Sequence, residues 1–401
     1  MSPNVVGCGD VKKNISASRI CGKCDKAIFF MTHRYFVIIC LCWGIAGCTA
    51  VTKVSQDKEQ SPEKAEPAKW KLTEFLISFW GCPEDDISAK TIVNSGFNTV
   101  MCPAEKLDLC SRHNLKTLLT CDWQTAQKLA NHPDVWGYYV FDEPMRKNVE
   151  YEDLLIKVRA FQKAEPYRPT YINLNEEDNL EEFIRIIQPW ILSYDHYQWW
   201  FGREQYFILL EKFRKHSLQA DIPFIVWVEA CAQPHWIYPE DNAQKIRQSV
   251  YCSLAYGAKG IQWWSWSPNN KDAAAINTEL KHLGPILIQL TSTKVYHTNP
   301  IPKGGMEVPT DCWVQTDTRN LLLGFFQNQR QYNYLMVVNR DHRKEQTLTL
   351  KIIDPIKTVK KFNKEKNNWM TIPLKKLGIG YQIEINLRAG DGELLIFNNS
   401  K

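Results

Sequence analysis

Val135-Trp136-Gly137-Tyr138-Tyr139-Val140-Phe141-Asp142-Glu143-Pro144 is an apolar and aromatic run that stops abruptly at two acids and a proline. An amphipathic stretch, 151–164, follows it. The pattern predicts one short strand feeding one helix, and the same unit recurs in both directions along the chain. Strands are expected at 75–82, 97–102, 115–121, 135–141, 170–174, 191–194, 224–228 and 260–264. Helical patterns lie between and after them at 86–94, 151–164, 180–187, 203–216, 242–256 and 273–290. Pro239-Glu240-Asp241-Asn242 announces the start of the 242–256 helix and Gly257 its stop. Strand then helix, eight times over, predicts an α/β chain whose residues 71–292 form a (β/α)8 TIM barrel. A doubly wound open sheet is the alternative. It calls for fewer strands and a glycine-rich phosphate loop after the first, where Trp80-Gly81-Cys82-Pro83 stands instead.

Beyond the last helix the pattern changes. Strand-like runs at 321–326, 334–339, 346–353, 356–362 and 394–397 recur without helices between them. Turn residues such as Asn339-Arg340-Asp341 and Ala389-Gly390-Asp391-Gly392 separate them, so residues 293–401 are expected to form a small antiparallel β-sandwich.

The N-terminal part carries a different signal. From Met31 an Arg34-bearing start leads into an apolar run and then Ile45-Ala46-Gly47-Cys48, a secretory signal in charge and length. Its ending resembles the lipobox of bacterial lipoproteins, which implies lipidation at Cys48 and a place in the bacterial cell envelope. Thr49 does not suggest inner-membrane retention, so an outer-membrane or periplasm-facing position is expected. The apolar run is too short for the roughly 20 residues of a membrane-spanning helix. Residues 1–30 precede the signal and read as a mis-called extension; Cys21 and Cys24 lack the second ligand pair of a zinc finger. Residues 49–70, rich in Lys, Glu, Gln, Ser and Pro, read as a flexible tether. The net charge of +5 comes from scattered lysines rather than a basic stripe, which argues against nucleic acid. Fifteen Trp, 16 Tyr and 17 Phe exceed what a core needs and suit the flat apolar faces of sugars.

In a TIM barrel the chemistry sits at the C-terminal ends of the strands. The expected strands end in Asp142-Glu143, in Asp195-His196-Tyr197, in Trp227-Val228-Glu229 and in Trp263-Trp264-Ser265-Trp266. Glycosidic hydrolysis needs two carboxyl groups astride the anomeric carbon, one protonated and one ionised. Glu143 and Glu229, on strands that face each other across a barrel mouth, are the expected catalytic pair. Trp80, Asp122, Trp123, Asp142, Asn173, Asn175, Asp195, His196, Tyr197, Trp227, Trp263, Trp264 and Trp266 are expected to bind substrate. Cys82, Cys102, Cys121 and Cys231 read as small residues filling the upper barrel layer. Neither a nucleophile elbow nor an HExxH zinc signature is present, and no metal or cofactor is expected.

Taken together, the segments 136–144, 192–200, 254–266 and 390–397 resemble family 42 β-galactosidase-like proteins of the clan A glycoside hydrolases. That resemblance implies a retaining mechanism with Glu143 as acid/base and Glu229 as nucleophile. Asp142 departs from the clan's pattern, which has Asn before the acid/base. Two alternatives stand beside this reading: a carbohydrate-binding lipoprotein on an inactive barrel, and an inverting glycosidase using Glu143 and Asp195.

Overall fold

The computed structural model describes residues 70–233, 238–353, 356–378 and 380–399. The expected signal, the Cys48 lipidation site and the tether up to residue 69 lie outside the described residues.

Eight strands form one parallel sheet: β1 (Leu76–Phe79), β2 (Thr99–Pro103), β3 (Lys116–Thr120), β4 (Val135–Asp142), β5 (Thr170–Leu174), β6 (Leu192–Asp195), β7 (Phe224–Glu229) and β8 (Gly260–Trp264). Helices alternate with them: α1 (Asp86–Asn94), α2 (Leu107–Arg112), α3 (Trp123–Lys128), α4 (Tyr151–Ala164), α5 (Leu180–Ile187), α6 (Gln198–Phe201), α7 (Tyr206–Ala220), α8 (Asn242–Tyr256) and α9 (Lys271–Leu287). The chain is a TIM barrel. Its ladder runs β1-β8-β7-β6-β5-β4-β3-β2, and β1 and β2 meet at a seam that Asn98 bridges. Asn98 donates its backbone N–H to the Ile77 carbonyl at 3.1 Å, accepts from Ile77 N at 2.9 Å and donates Nδ2 to the Phe75 carbonyl at 2.8 Å. One side chain thus stands in for a strand ladder and keeps the edge groups paired.

The local choices follow from the residues. Asp85 and Ser88 form a reciprocal capping box that starts α1, and Gly257, at φ +102°, ends α8. The helix expected at 203–216 is displaced to α7, because Gly202 at φ +96° and the turn after it redirect the chain first. Alternate strand residues divide two cores. Leu76, Met101, Leu118, Trp136, Tyr171, Ile225 and Trp227 fill the barrel interior. Their neighbours, such as Ile77, Leu119, Val135, Ile172 and Val226, pack outward on the helices.

A β-sandwich follows the barrel. It comprises β9 (Thr291–His297), β10 (Val314–Gln315), β11 (Leu321–Gln327), β12 (Asn333–Asn339), β13 (Gln346–Ile352), β14 (Ile356–Asn363), β15 (Asn368–Ile372), β16 (Lys375–Leu377), β17 (Gly380–Leu387) and β18 (Gly392–Asn399). Its sheets run β10-β13-β17-β16 and β15-β14-β18-β12-β11-β9, all antiparallel. Phe326, Met336, Val338 and Leu394 continue the barrel's outer core into the sandwich. At Gly324 the backbones approach so closely that a Cβ would fall 2.1 Å from the Ala255 carbonyl oxygen of α8. A buried ion cluster crosses the same interface: Arg247 of α8 and Glu279 of α9 meet Lys364, Arg388 and Asp391 of the sandwich.

Candidate active site

A column of hydrogen bonds rises through the barrel toward its C-terminal mouth. Trp227 Nε1 donates to the Tyr171 hydroxyl at 2.8 Å, and that hydroxyl lies 2.6 Å from Gln262 Oε1 and 2.5 Å from Ser193 Oγ. Ser193 donates to Asn173 Oδ1 at 3.0 Å. With its oxygen committed, the Asn173 amide has only its NH2 to present upward. Nδ2 donates to Asp195 Oδ1 at 2.8 Å and to Asp142 Oδ1 at 3.3 Å. The residues come from five adjacent strands, β4 to β8, so the sheet itself sets their spacing.

The column opens into a cavity of about 330 Å3, near the lower end of the roughly 300–1,000 Å3 usual for small-molecule sites. Asp142, Glu143 and Asp195 form its acidic wall beside Asn173 and Arg146. Trp80, Tyr197, Trp200, Phe201, Trp227 and Trp264 form the rest. Trp80 packs against Trp227 and Trp264 with both ring centroids 5.7 Å away, and Tyr197 lies nearly parallel to Trp264 at 6.4 Å. Larger hollows lie on the sandwich and among the barrel helices, but none gathers three carboxylates on one wall.

Charge is unevenly resolved within this wall. Lys147 pairs with Asp142 at 2.9 Å and Arg146 with Glu143 at 3.1 Å. Among the described residues Asp195 has no cation at ion-pairing distance, and burial together with the Glu143 charge pushes its carboxyl up to about 7, against the Asn173 bond. Glu143 itself sits at φ +49°, a left-handed conformation that costs a non-glycine residue free energy. Its N–H still extends the sheet, donating to the Asn173 carbonyl at 2.8 Å, before Pro144 turns the chain away. Among the described residues no group of three or more His, Cys, Asp or Glu is placed to hold a metal ion.

Of the residues expected from sequence, Trp80, Asp142, Glu143, Asn173, Asp195, Tyr197, Trp227 and Trp264 meet in the cavity. Glu229 does not line it. That carboxylate is 1% exposed at the end of β7, where it accepts the Trp199 backbone N–H at 3.1 Å. Burial pushes it up to about 8. Asp122 caps α3 through the Thr125 N–H, with Trp123 half-exposed beside it. Asn175 turns the loop after β5 by accepting from Glu177 N. His196 lies between Glu176 and the Gly202 carbonyl. Trp263 points outward and donates to Asn277, while Trp266 packs on Phe79 and Phe97. Arg146, Trp200 and Phe201 line the cavity without being among the expected site residues. Arg146 was accessible as the residue one helical turn beyond Glu143, whereas Phe201 depends on how the chain folds after β6. Among the described residues the cysteines form no disulfide; the Cys102 and Cys110 sulfurs lie 3.7 Å apart.

No protein-family model matches the chain, and no curated protein matches its sequence. Solved structures do match its fold. A candidate α-galactosidase from Bacteroides fragilis aligns with a TM-score of 0.52 at 7% identity, covering 83% of this chain and 81% of its own. A β-L-arabinopyranosidase of Geobacillus stearothermophilus aligns at 0.50 and 8% identity, covering 83% and 98%. An α-L-fucosidase from Paenibacillus thiaminolyticus aligns at 0.50 and 6% identity, covering 82% and 100%. At these identities the likeness is one of fold: a barrel followed by a β-sandwich, shared with glycoside hydrolases.

Proposed function

We propose that the chain is a retaining glycoside hydrolase in which Asp195 donates the proton and Asp142 attacks the anomeric carbon. The observation that carries this is the Asn173 amide. One nitrogen bonded to both carboxylates at 2.8 and 3.3 Å holds those oxygens within roughly 6 Å of each other, close to the spacing of about 5–5.5 Å in retaining enzymes and short of inverting ones. Asp195, held protonated near neutrality by burial and by Glu143, protonates the leaving oxygen. Asp142, paired with Lys147, forms the glycosyl ester. Asp195, now ionised, takes a proton from water, which releases the sugar and restores both groups. The aromatic walls offer apolar sugar faces a surface to stack on.

A second reading has its own support. The strained Glu143 backbone and the strength of its charge at Asp195 favour Glu143 as the ionised partner. The first substrates to try are galacto-configured. The fold neighbours named for galactose, L-arabinopyranose and L-fucose support that choice, as does the β-galactosidase-like resemblance of the strand-end segments. Aryl glycosides of these sugars test for activity. A 2-deoxy-2-fluoro analogue of whichever is cleaved then labels the nucleophile for peptide mass spectrometry. Label on Asp142 with retention of anomer in NMR supports the assignment, and inversion without label replaces it by Glu143 acting through water. Hydrolysis of no glycoside by a folded protein that binds these sugars leaves a carbohydrate-binding barrel. We further propose that the enzyme is anchored in the cell envelope through Cys48. Loss of lipid labelling in Cys48→Ala would be the expected result, and unchanged labelling would overturn it.

A further inference from the structure

We infer that Glu229 is a positioning residue that anchors residues 197–202 and thereby holds one aromatic wall of the substrate cavity. This rests on the glycosidase reading for its kinetic consequence but not for its geometry. Residues 197–202 leave β6, form the single turn of α6 and end at Gly202. They supply Tyr197, Trp200 and Phe201 to the cavity, half of its six aromatic residues. So short a turn cannot support itself. Its stability must come from what it is tied to.

The ties converge on the end of β7 and the start of α8. Glu229 accepts the Trp199 backbone N–H at 3.1 Å, an amide the first turn of a helix leaves without an intrahelical partner. On either side, Gln198 Nε2 donates to Ser249 Oγ at 2.8 Å and Trp200 Nε1 donates to the Cys231 carbonyl at 2.8 Å. Trp199 Nε1 donates to the Lys245 carbonyl at 2.9 Å, and the Arg203 guanidinium covers the Trp199 ring at 4.2 Å. These four ties hold side chains. Glu229 holds the backbone, in the middle of the segment, so it fixes the direction in which Trp200 and Phe201 project.

Burial without a matched cation is tolerable for a carboxyl that stays neutral, and burial does push Glu229 up to about 8. A neutral acid and an amide offer the same acceptor oxygen at the same place. Glutamine should therefore replace Glu229 in this role, whereas a nucleophile tolerates no such change.

The test compares Glu229→Ala, Glu229→Asp and Glu229→Gln, each checked for folding by circular dichroism. Limited chymotryptic cleavage at Trp199–Phe201 reads the segment without any substrate. Ala and Asp, the latter one methylene short, are expected to be cut there at least tenfold faster than wild type, and Gln at close to the wild-type rate. On the aryl glycoside that the enzyme cleaves, Ala and Asp should raise KM about tenfold with kcat within threefold, and Gln should restore KM. A kcat loss of a thousandfold or more in Glu229→Gln, with cleavage unchanged, overturns the inference and places Glu229 in the reaction itself. Unchanged cleavage in both Ala and Asp overturns it as well. Should no glycoside be hydrolysed, the glycosidase reading fails and the cleavage arm still decides the anchoring role.

Discussion

Two clusters of acids behave in opposite ways in this molecule. At the barrel–sandwich interface Asp391 is 1% exposed, yet its carboxyl is held well below the ordinary range. Burial opposes the charge there, but Lys364 at 2.8 Å, Arg247 at 3.1 Å and Arg388 at 2.9 Å outweigh it. At the barrel mouth Asp195 is half-buried, and there desolvation and the charges of Glu143 and Asp142 outweigh Arg146 and the Asn173 bond, so its carboxyl rises to about 7. Each interface acid has been given matched partners, which is how a protein tolerates buried charge for structure. At the mouth Asp142 and Glu143 have their cations, and among the described residues Asp195 alone is left without an ion pair. Three carboxylates share a wall with a single amide bridging two of them, and such frustration marks groups kept for proton transfer.

Breaking each cluster should therefore fail in a different observable. The largest expected effect is at the mouth: Asp195→Asn removes the proposed proton donor and should lower kcat by about 10²- to 10⁴-fold, with an unfolding midpoint no lower than wild type. Asp391→Ala does the reverse. It leaves Glu279 as the one acid facing Lys364, Arg247 and Arg388 in the cluster and should cost about 3–5 kcal/mol in urea unfolding, while kcat measured well below the transition stays within twofold. Equal loss of activity in both variants would dissolve the distinction between the clusters. A smaller effect is expected for Ser193→Ala. It frees the Asn173 amide to rotate away from the acids and should lower kcat severalfold without moving KM.

The comparison also shows what a single sequence makes legible. The barrel was readable because each strand is an apolar run followed by an amphipathic helix, and α1, α4, α5 and α8 fall on the expected residues. The candidate acids were readable because strand ends define the mouth. Which acid faces which was not. Glu229 shares the inward parity of Trp227, but its carboxylate is taken up by the Trp199 N–H, a contact with a segment 30 residues earlier. Trp263 and Trp264 are adjacent, so alternation alone assigns only one of them to the mouth; the sheet register with β1 and β7 decides which. In the sandwich β9, β10, β15 and β16 were missed; β15 and β16 are edge strands made mostly of exposed residues. In β17, by contrast, Ile383, Ile385 and Leu387 alternate with polar residues, a signal that was present.

The finest test of the contrast is its pH dependence. Asp195 goes from an ordinary 3.8 in the unfolded chain to about 7 in the folded one. Between those values the folded protein keeps a proton that the unfolded chain releases, so this group's stabilisation is complete in acid and lost as pH rises through 7. Asp391 runs the other way: its stabilisation is complete at neutral pH and lost only as acid protonates the interface, below the ordinary carboxylate range. The melting temperature of Asp195→Asn should therefore pull ahead of wild type between about pH 4 and 7 and hold its lead above that. Activity follows the same proton. The alkaline limb of kcat/KM should fall near pH 7, and Glu143→Gln, which removes the charge that most raises Asp195 after burial, should move whatever limb remains to lower pH. A limb that stays in place in Glu143→Gln would mean that the proton counted by the rate is not the one on Asp195.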